Sequence, residues 1–366
     1  MTRSHPGQKQ TLAVAPITRS RARDVQRSPI FKLPSEVLSM IFILMLPNDL
    51  ELGKEWCSPG QRRPQGRSPL LLCAVCSLWR ACALATPQLW RQIFIHISQD
   101  MSKTTARLKA NRLLLWIQRS RSLPLALYLS SERFFSHAGR KPFRGTPVIS
   151  VLKHQANRWR ALYLQKPLDN VLLEIFKSEQ YRPSPSSRRR VHHPNTMPQE
   201  NQLTSWVQLT HLQICRSISA QQALVIFKAC SKLVWLSINR LELPHGPAYS
   251  KPPIILPDLV SISLGFKSFC LRGVMTSISA PSLREMCIGI VSSTWTISAD
   301  GESLLYFLTQ SSCTLDRLEL SGVCKNLTNT LITTFYPRAS LLRGTTFSCV
   351  EGLYLFNLDI LRSWVL

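Results

Sequence analysis

The sequence is poor in acidic residues and in glycine, and it has no long apolar run. Against 45 lysines and arginines it has only 20 aspartates and glutamates, so its formal net charge is +25. The 14 glycines in 366 residues offer little material for phosphate-holding loops, and the signatures GxSxG, GxGxxG, HExxH and the P-loop are missing. No apolar run approaches the roughly 20 residues that a membrane span needs. The sequence therefore predicts a protein without catalysis, cofactor or membrane partner.

The 11 cysteines are scattered, and their number is odd. Several lie in apolar helical runs, which is typical of reduced thiols in an intracellular protein of the cytoplasm, the nucleus or both. Cys73 and Cys76 have the spacing of metal ligands, but no second cysteine or histidine pair follows at a suitable distance. We therefore expect buried thiols and no metal site. Residues 1–28 are expected to form a disordered basic tail.

Residues 29–92 predict a small helical module that is interrupted by an exposed polar insert at 48–68. Apolar residues recur at helical spacing after Ser35, which is the expected N-cap of the first helix. A second apolar helix follows Pro69, and Ser77 is expected to cap a third. A unit of this size cannot bury all its apolar side chains within itself, so the remainder predicts a docking surface.

Residues 93–147 are expected to link this module to a larger domain. A stretch with leucines among basic residues begins at Lys103 and predicts an amphipathic helix with a cationic face. Short alternating stretches on either side of it read as strands.

Residues 148–366 carry an internal repeat of the form apolar-x-x-apolar-x-apolar. Its copies are Trp159-Leu162-Leu164, Leu209-Leu212-Ile214, Leu233-Leu236-Ile238, Leu259-Ile262-Leu264, Leu283-Met286-Ile288, Leu315-Leu318-Leu320 and Val350-Leu353-Leu355. From the second to the fifth copy the spacing is 24 to 26 residues, and helical patterns lie between the copies. A strand with a return helix at this period is typical of an irregular leucine-rich-repeat-like solenoid, with a disordered insert at 178–201. The alternative is an ordinary α/β domain.

The segment from Leu33 to Trp90 resembles an F-box, in the form abundant in mushroom-forming fungi. The matching blocks, in order, are Leu33-Pro34-Ser35-Glu36-Val37-Leu38, Ile41-Phe42, Val75-Cys76, Trp79-Arg80, Ala83-Leu84 and Thr86-Pro87-Gln88-Leu89-Trp90. With the repeats, the predicted fold class is α/β, with a small helical F-box followed by the solenoid.

The resemblance implies a substrate-recognition adaptor of a cullin-RING (SCF-type) ubiquitin ligase. Its F-box would dock on a Skp-type adaptor, and through it on the cullin, while the repeats would hold an unknown substrate protein for ubiquitin-dependent degradation. The implied docking residues are Leu33, Pro34, Val37, Ile41, Val75 and Trp79, each of which could equally belong to the module's own core. On a concave strand face, the outward positions between the repeat leucines predict substrate contacts at Tyr163, Gln213, Ser237, Ser263, Cys287 and Glu319.

The positive charge keeps a second hypothesis open, which is a protein that binds nucleic acid or another anionic surface without catalysis. The basic stretch after Lys103 includes Trp116, and Phe134, Phe135 and Phe143 follow it, so cations and aromatic rings are interleaved. A solvated cationic surface, or one that attracts an acidic protein, explains the same pattern. We therefore rank nucleic acid below a protein partner.

Overall fold

The chain forms helices and a mostly parallel central sheet. The computed structural model describes residues 29–47, 52, 68–98, 101–131, 146–165, 206–242, 252–266, 271–290, 297–321, 346–349 and 354–357. The predicted disordered tail at 1–28 and insert at 178–201 lie outside these ranges. Mixed α/β class is confirmed, since eight of the strands pair into one parallel sheet.

Three short helices form a unit at the N-terminal end of the described chain. They are α1 (Ser35–Leu44), α2 (Pro69–Val75) and α3 (Ser77–Ala85), with 3-10 turns at Pro29–Lys32 and Pro87–Trp90. Their core contains Leu38, Phe42, Leu72, Cys82, Ala83, Leu89 and Trp90. Helices of this length have only one side each to contribute to such a core, so their other sides are left to solvent or to a partner.

Both predicted N-caps are wrong by one residue. Ser35 is the first helical residue of α1, and Pro34 precedes it as N-cap without a side-chain hydrogen bond. Ser77 likewise lies inside α3, whose N-cap is Cys76; the Cys76 Sγ accepts the N–H of Trp79 at 3.4 Å. An N-cap residue needs an extended backbone, and Cys76 has it with φ −157° and ψ 175°.

The strands follow one another across the main sheet in the order of the chain. The described strands up to residue 321, of which β6 and β8 lie outside the main sheet, are β1 (Gln92–Ile97), β2 (Leu125–Ser131), β3 (Trp159–Gln165), β4 (His211–Ser219), β5 (Trp235–Glu242), β6 (Ile254–Ile255), β7 (Ser261–Phe266), β8 (Ile278–Ser279), β9 (Glu285–Ile290) and β10 (Arg317–Ser321). The main sheet runs β1-β2-β3-β4-β5-β7-β9-β10, every pair parallel, and β6 pairs with β8 separately.

Helices connect most of these strands and share their core. They are α4 (Lys103–Arg119), α5 (Thr146–Lys153), α6 (Ala220–Ala229), α7 (Leu271–Met275) and α8 (Ile297–Ser311), with a 3-10 turn at Ala156–Arg158. Crossovers between parallel strands are right-handed, so a sheet in chain order receives them on one face. The apolar repeat residues from Trp159 to Leu318 face this helical layer, and those whose burial is described are at most 1% exposed.

The sheet begins earlier than the first repeat copy. Ile93 of β1 pairs with Leu127 of β2, which pairs with Leu162 of the first copy. Residues of the region 93–147 thus supply two strands and α4 to the sheet and its core.

The last repeat copy does not add a parallel strand. Leu355 lies in β12 (Tyr354–Asn357), which pairs antiparallel with β11 (Thr346–Cys349). Val350 and Leu353 lie outside the described residues. The prediction of a further repeat strand is wrong here because apolar alternation is the same for parallel and antiparallel strands.

Trp90 joins the helical unit to the sheet. Its Nε1 donates to the Ala83 carbonyl oxygen at 2.8 Å, and its ring meets that of Trp116 on α4 edge-on at 4.8 Å. The guanidinium of Arg119 lies 4.4 Å from the Trp90 ring centre. Trp116 in turn packs against both cores, so the helical unit and the sheet meet along an apolar boundary.

Candidate binding surfaces

The helical unit exposes an unusual amount of apolar side chain. Ile41 and Val75 are 37% and 58% exposed, and Leu44 is 83% exposed. The other large exposed apolar residues of the unit are Met40, Met45, Leu70, Leu71 and Leu84. Clustered apolar exposure of this kind marks an interaction surface more often than a free one. We name these eight residues the docking face.

The six predicted docking residues divide into two groups. Pro34, Ile41 and Val75 are exposed and Val37 is half-buried, so all four can reach a partner. Leu33 and Trp79 pack against the core of the unit, and the Trp79 ring centre lies 4.9 Å from that of Phe42. Their substitution would therefore disturb the fold as well as any contact. Whether the six bind an adaptor stays a prediction.

Sequence reasoning missed most of the docking face. Met40 and Leu44 are four residues apart on α1, and Leu70 and Leu71 begin α2. The available signal was that α2 has no charged or amide side chain on any side and that α1 is polar only at Ser35, Glu36 and Ser39, which is unusual for short helices at a surface.

The second candidate surface is the sheet face opposite the helical layer. The register pairs Tyr163 with Gln213, Gln213 with Ser237, Ser237 with Ser263, Ser263 with Cys287, and Cys287 with Glu319. All six residues predicted for substrate contact therefore form one continuous row across six neighbouring strands. The same row extends to Tyr128 and Phe94, which the sequence analysis did not include. We name the eight residues the central row. Its role in substrate binding stays a prediction.

The two ends of the central row differ in accessibility. Phe94, Tyr128 and Tyr163 stack with ring centres 4.5 and 4.7 Å apart. Tyr163, Gln213 and Ser237 are buried, whereas Ser263, Cys287 and Glu319 are half-exposed. All six lie on the face opposite the helical layer as expected, but the first three are covered, so a partner can reach only the β7–β10 end of these six directly.

Leu52 contributes to this burial. It is 1% exposed and belongs to a cluster with Ala126, Tyr128, Ala161 and Tyr163. It comes from the insert at 48–68, which the sequence predicts as an exposed polar loop. At Leu52 that prediction is wrong. Packing against the stacked tyrosines removes the leucine side chain from water, whereas an exposed loop would leave it solvated, so the buried position is favoured.

Gln213 is the polar centre of the row. Its side chain is 6% exposed, and its Oε1 has no hydrogen-bond donor within the described part of the chain. An unsatisfied buried carbonyl costs about 1–3 kcal/mol. The accessible part of the row, which consists of Ser263, Cys287 and Glu319, offers hydrogen-bonding side chains.

Cys287 lies at the exposed end of the row, and the pKa of its thiol is above the usual value. Burial is the main cause, the Glu319 carboxylate adds to it, and a hydrogen bond with Ser263 and the charge of Arg317 oppose it. Arg317 also pairs with Glu319 at 2.8 Å. The thiolate is therefore disfavoured at neutral pH, and Cys287 fits a packing role better than that of a nucleophile.

Alkylation of Cys287 will test this arrangement. Glu319→Gln removes a carboxylate that raises the thiol pKa, so we expect faster modification by iodoacetamide near pH 8. Ser263→Ala removes the opposing hydrogen bond and should slow it. Peptide-resolved mass spectrometry measures the rate, with Cys313 as internal reference because burial raises its pKa to about 11. Equal rates at Cys287 in both variants would contradict the described contacts.

The other cysteines offer no metal site in the described residues. Cys73, Cys76, Cys82, Cys230, Cys287 and Cys313 are free, and no group of three or more His, Cys, Asp or Glu residues there could hold a metal ion. Cys215 is disulfide-bonded, so the expectation of uniformly reduced thiols is wrong at that position.

No protein-family model matches the chain, and no curated protein matches it in sequence. Among the described helices none is long and apolar enough to cross a membrane.

Proposed function

We propose that this protein is a substrate-recognition adaptor of a cullin-RING ubiquitin ligase. The helical unit would be an F-box that docks on a Skp-type adaptor, and the sheet would hold a substrate protein. The observation that carries the proposal is the docking face, which lies on the helices whose sequence resembles an F-box. The protein would bring two partners together and need no catalytic residue or cofactor of its own.

The division of residues within α1 supports docking. Leu38 and Phe42 face inward and are fully buried, while Ile41 and Leu44 on the same helix are exposed. Exposed branched side chains on a helix of nearly three turns lose little conformational freedom when a partner covers them. Such residues act as anchors when one helix packs on another.

Two features of the sheet support an irregular leucine-rich-repeat-like solenoid. Its strands follow chain order without reversal, and the repeat leucines line the layer shared with the helices. In a stack of this kind each unit covers the apolar side of the next, and the opposite strand face is the usual binding surface. The half-exposed residues Ser263, Cys287 and Glu319 are then the accessible part of the substrate surface.

Co-purification with a Skp-type adaptor tests the proposal. Ile41→Glu with Val75→Glu places two charges on the docking face without touching the core of the unit. Loss of about 2 kcal/mol at an anchor weakens binding roughly thirtyfold, so we expect the double variant to lose the adaptor. The amount of co-purified adaptor, measured at equal protein levels, is the readout.

Val207→Glu with Ile255→Glu is a matched control. These residues are 38% and 63% exposed, close to the values for Ile41 and Val75, and lie outside the helical unit. The control should bind as the wild type does. The proposal fails if the wild-type chain does not bind the adaptor, or if both double variants bind equally well while folded. Mass spectrometry of the co-purified proteins would also nominate the substrate.

A further inference from the structure

Helix α4 exposes leucines on the side that faces away from the core. Ala106, Ala110, Leu113 and Ile117 are its buried residues. Leu108, Leu114 and Leu115 are 58%, 43% and 52% exposed, although α4 already has an apolar side in the core. Leu108 and Leu115 are seven residues apart, so they lie on one side of the helix two turns from each other. These two leucines have no structural use in the described molecule.

Cations surround the exposed leucines. Arg112 lies four residues after Leu108 and three before Leu115, hence beside both, and Lys103 and Arg107 are exposed on the same helix. None of these three cations forms an ion pair with any described residue. We name Lys103, Arg107, Leu108, Arg112, Leu114 and Leu115 the outward face of α4.

The described residues that flank this face in the chain carry no opposing charge. The described residues between Ser68 and Gln165 include no aspartate or glutamate, and this stretch contains α2, α3, α4, α5 and the first three strands. The two described ion pairs both lie at the other end of the sheet, where Asp316 and Glu319 are. Among the described residues of this stretch the outward face of α4 therefore has no acidic neighbour, and a partner with carboxylates would neutralise it.

The pairing of leucine with arginine restricts the partner. Nucleic acid would neutralise the cations but would leave Leu108 and Leu115 without apolar contacts, and Trp116 packs against the two cores instead of being free to stack on a base. A membrane would cover the leucines. It would also desolvate the exposed amides of Asn111 and Gln118, which follow Leu108 and Leu115 by three residues each. Protein side chains can satisfy amides, leucines and cations together.

We propose that the outward face of α4 binds an acidic amphipathic helix of a partner protein. Leu108 and Leu115 would receive its apolar side chains, and Arg107 and Arg112 would pair with its carboxylates. This interaction does not depend on the docking face or the central row.

Binding of a synthetic acidic helix to the full-length protein tests the proposal. The probe is a labelled peptide with leucines at helical spacing and glutamates on either side. A scrambled peptide of equal composition places the leucines on all sides. We expect fluorescence anisotropy to give at least tenfold tighter binding of the patterned peptide, with affinity that falls as salt rises. Equal binding of the two peptides would overturn the proposal, because charge alone would then explain the interaction.

Variants separate the apolar and the charged contributions. Leu108→Ser with Leu115→Ser should weaken binding of the patterned peptide about tenfold or more, since it removes two apolar contacts. Ile255→Ser with Val207→Ser, at 63% and 38% exposure and outside the docking face, is the matched control and should have no effect. Arg107→Gln with Arg112→Gln should weaken binding and flatten its salt dependence, whereas Arg160→Gln with Lys232→Gln should do neither.

Two competing ligands complete the test. Phosphatidylcholine vesicles with and without phosphatidylserine test a lipid surface, and single-stranded RNA tests a nucleic acid. The proposal is overturned if either ligand binds more tightly than the patterned peptide and loses affinity in the Leu108 and Leu115 double variant. It is also overturned if that variant and its control bind the peptide equally.

Discussion

Replacing Trp90 with alanine is expected to lower the free energy of unfolding by about 3–5 kcal/mol, which is the usual cost of deleting a buried tryptophan ring. Trp90 is 0% exposed and holds three contacts at once, with the Ala83 carbonyl, the Trp116 ring and the Arg119 guanidinium. The cavity would open at the boundary between the helical unit and the sheet. Urea denaturation measures the loss, and hydrogen exchange should show faster exchange in α3 and α4 than in β7–β10.

Trp90→Phe is the informative control. It keeps an aromatic ring against Trp116 but removes the N–H that donates to Ala83, so it should cost clearly less than alanine. Equal destabilisation by the two substitutions would mean that the hydrogen bond, and not the ring, holds the boundary. A loss of less than about 1 kcal/mol for Trp90→Ala would contradict full burial at this position.

Gly265→Ala is expected to destabilise the sheet by at least about 2–3 kcal/mol, because the added methyl group has no room. A Cβ at Gly265 would clash with the carbonyl oxygen of Asn239. The register between β5 and β7 shifts between Ile238 and Leu241, and Asn239 lies in that irregularity. The clash is with backbone, which is held between neighbouring strands and cannot rotate away as a side chain can. Thermal unfolding of the two proteins measures the effect.

Ser261→Ala on the same strand is the control for the glycine substitution. Ser261 is half-exposed on the same sheet face, and its replacement adds no atoms. The unfolding temperature of the Ser261→Ala variant should stay close to that of the wild type. If Gly265→Ala were equally well tolerated, the described approach of β5 to β7 would be wrong.

The repeat leucines made most of the sheet predictable. The pattern places Leu212, Leu236 and Ile262 inward whatever lies between the strands, and the register pairs these three side by side. The strands β1 and β2 were predicted as strands but not as members of the sheet. At β2 the first apolar position of the repeat is occupied by Pro124. The repeat pattern is therefore incomplete at this strand.

The candidate surfaces were less predictable because they depend on distant residues. Alternation places Tyr163, Gln213 and Ser237 on the face opposite the leucines, which is correct, but it contains no information on what covers them. Leu52 comes from the other end of the chain and packs there. In the same way, spacing identifies Leu33 and Trp79 as apolar members of a helical unit. Only packing distinguishes them from Ile41 and Val75, which are exposed.

The strand order has a consequence for how such a chain can change over time. Each strand of the main sheet pairs with the main-sheet strands that come before and after it in the chain. A connection between two of them can therefore lengthen without altering any other pairing. The connection from Gln165 to His211 is the longest in this sheet, yet Ala161 still pairs with His211 and Leu162 with Leu212. Loop closure costs little more as length grows. Insertions at the strand ends are therefore nearly neutral, and the rim of the sheet can diversify quickly while its interior stays fixed.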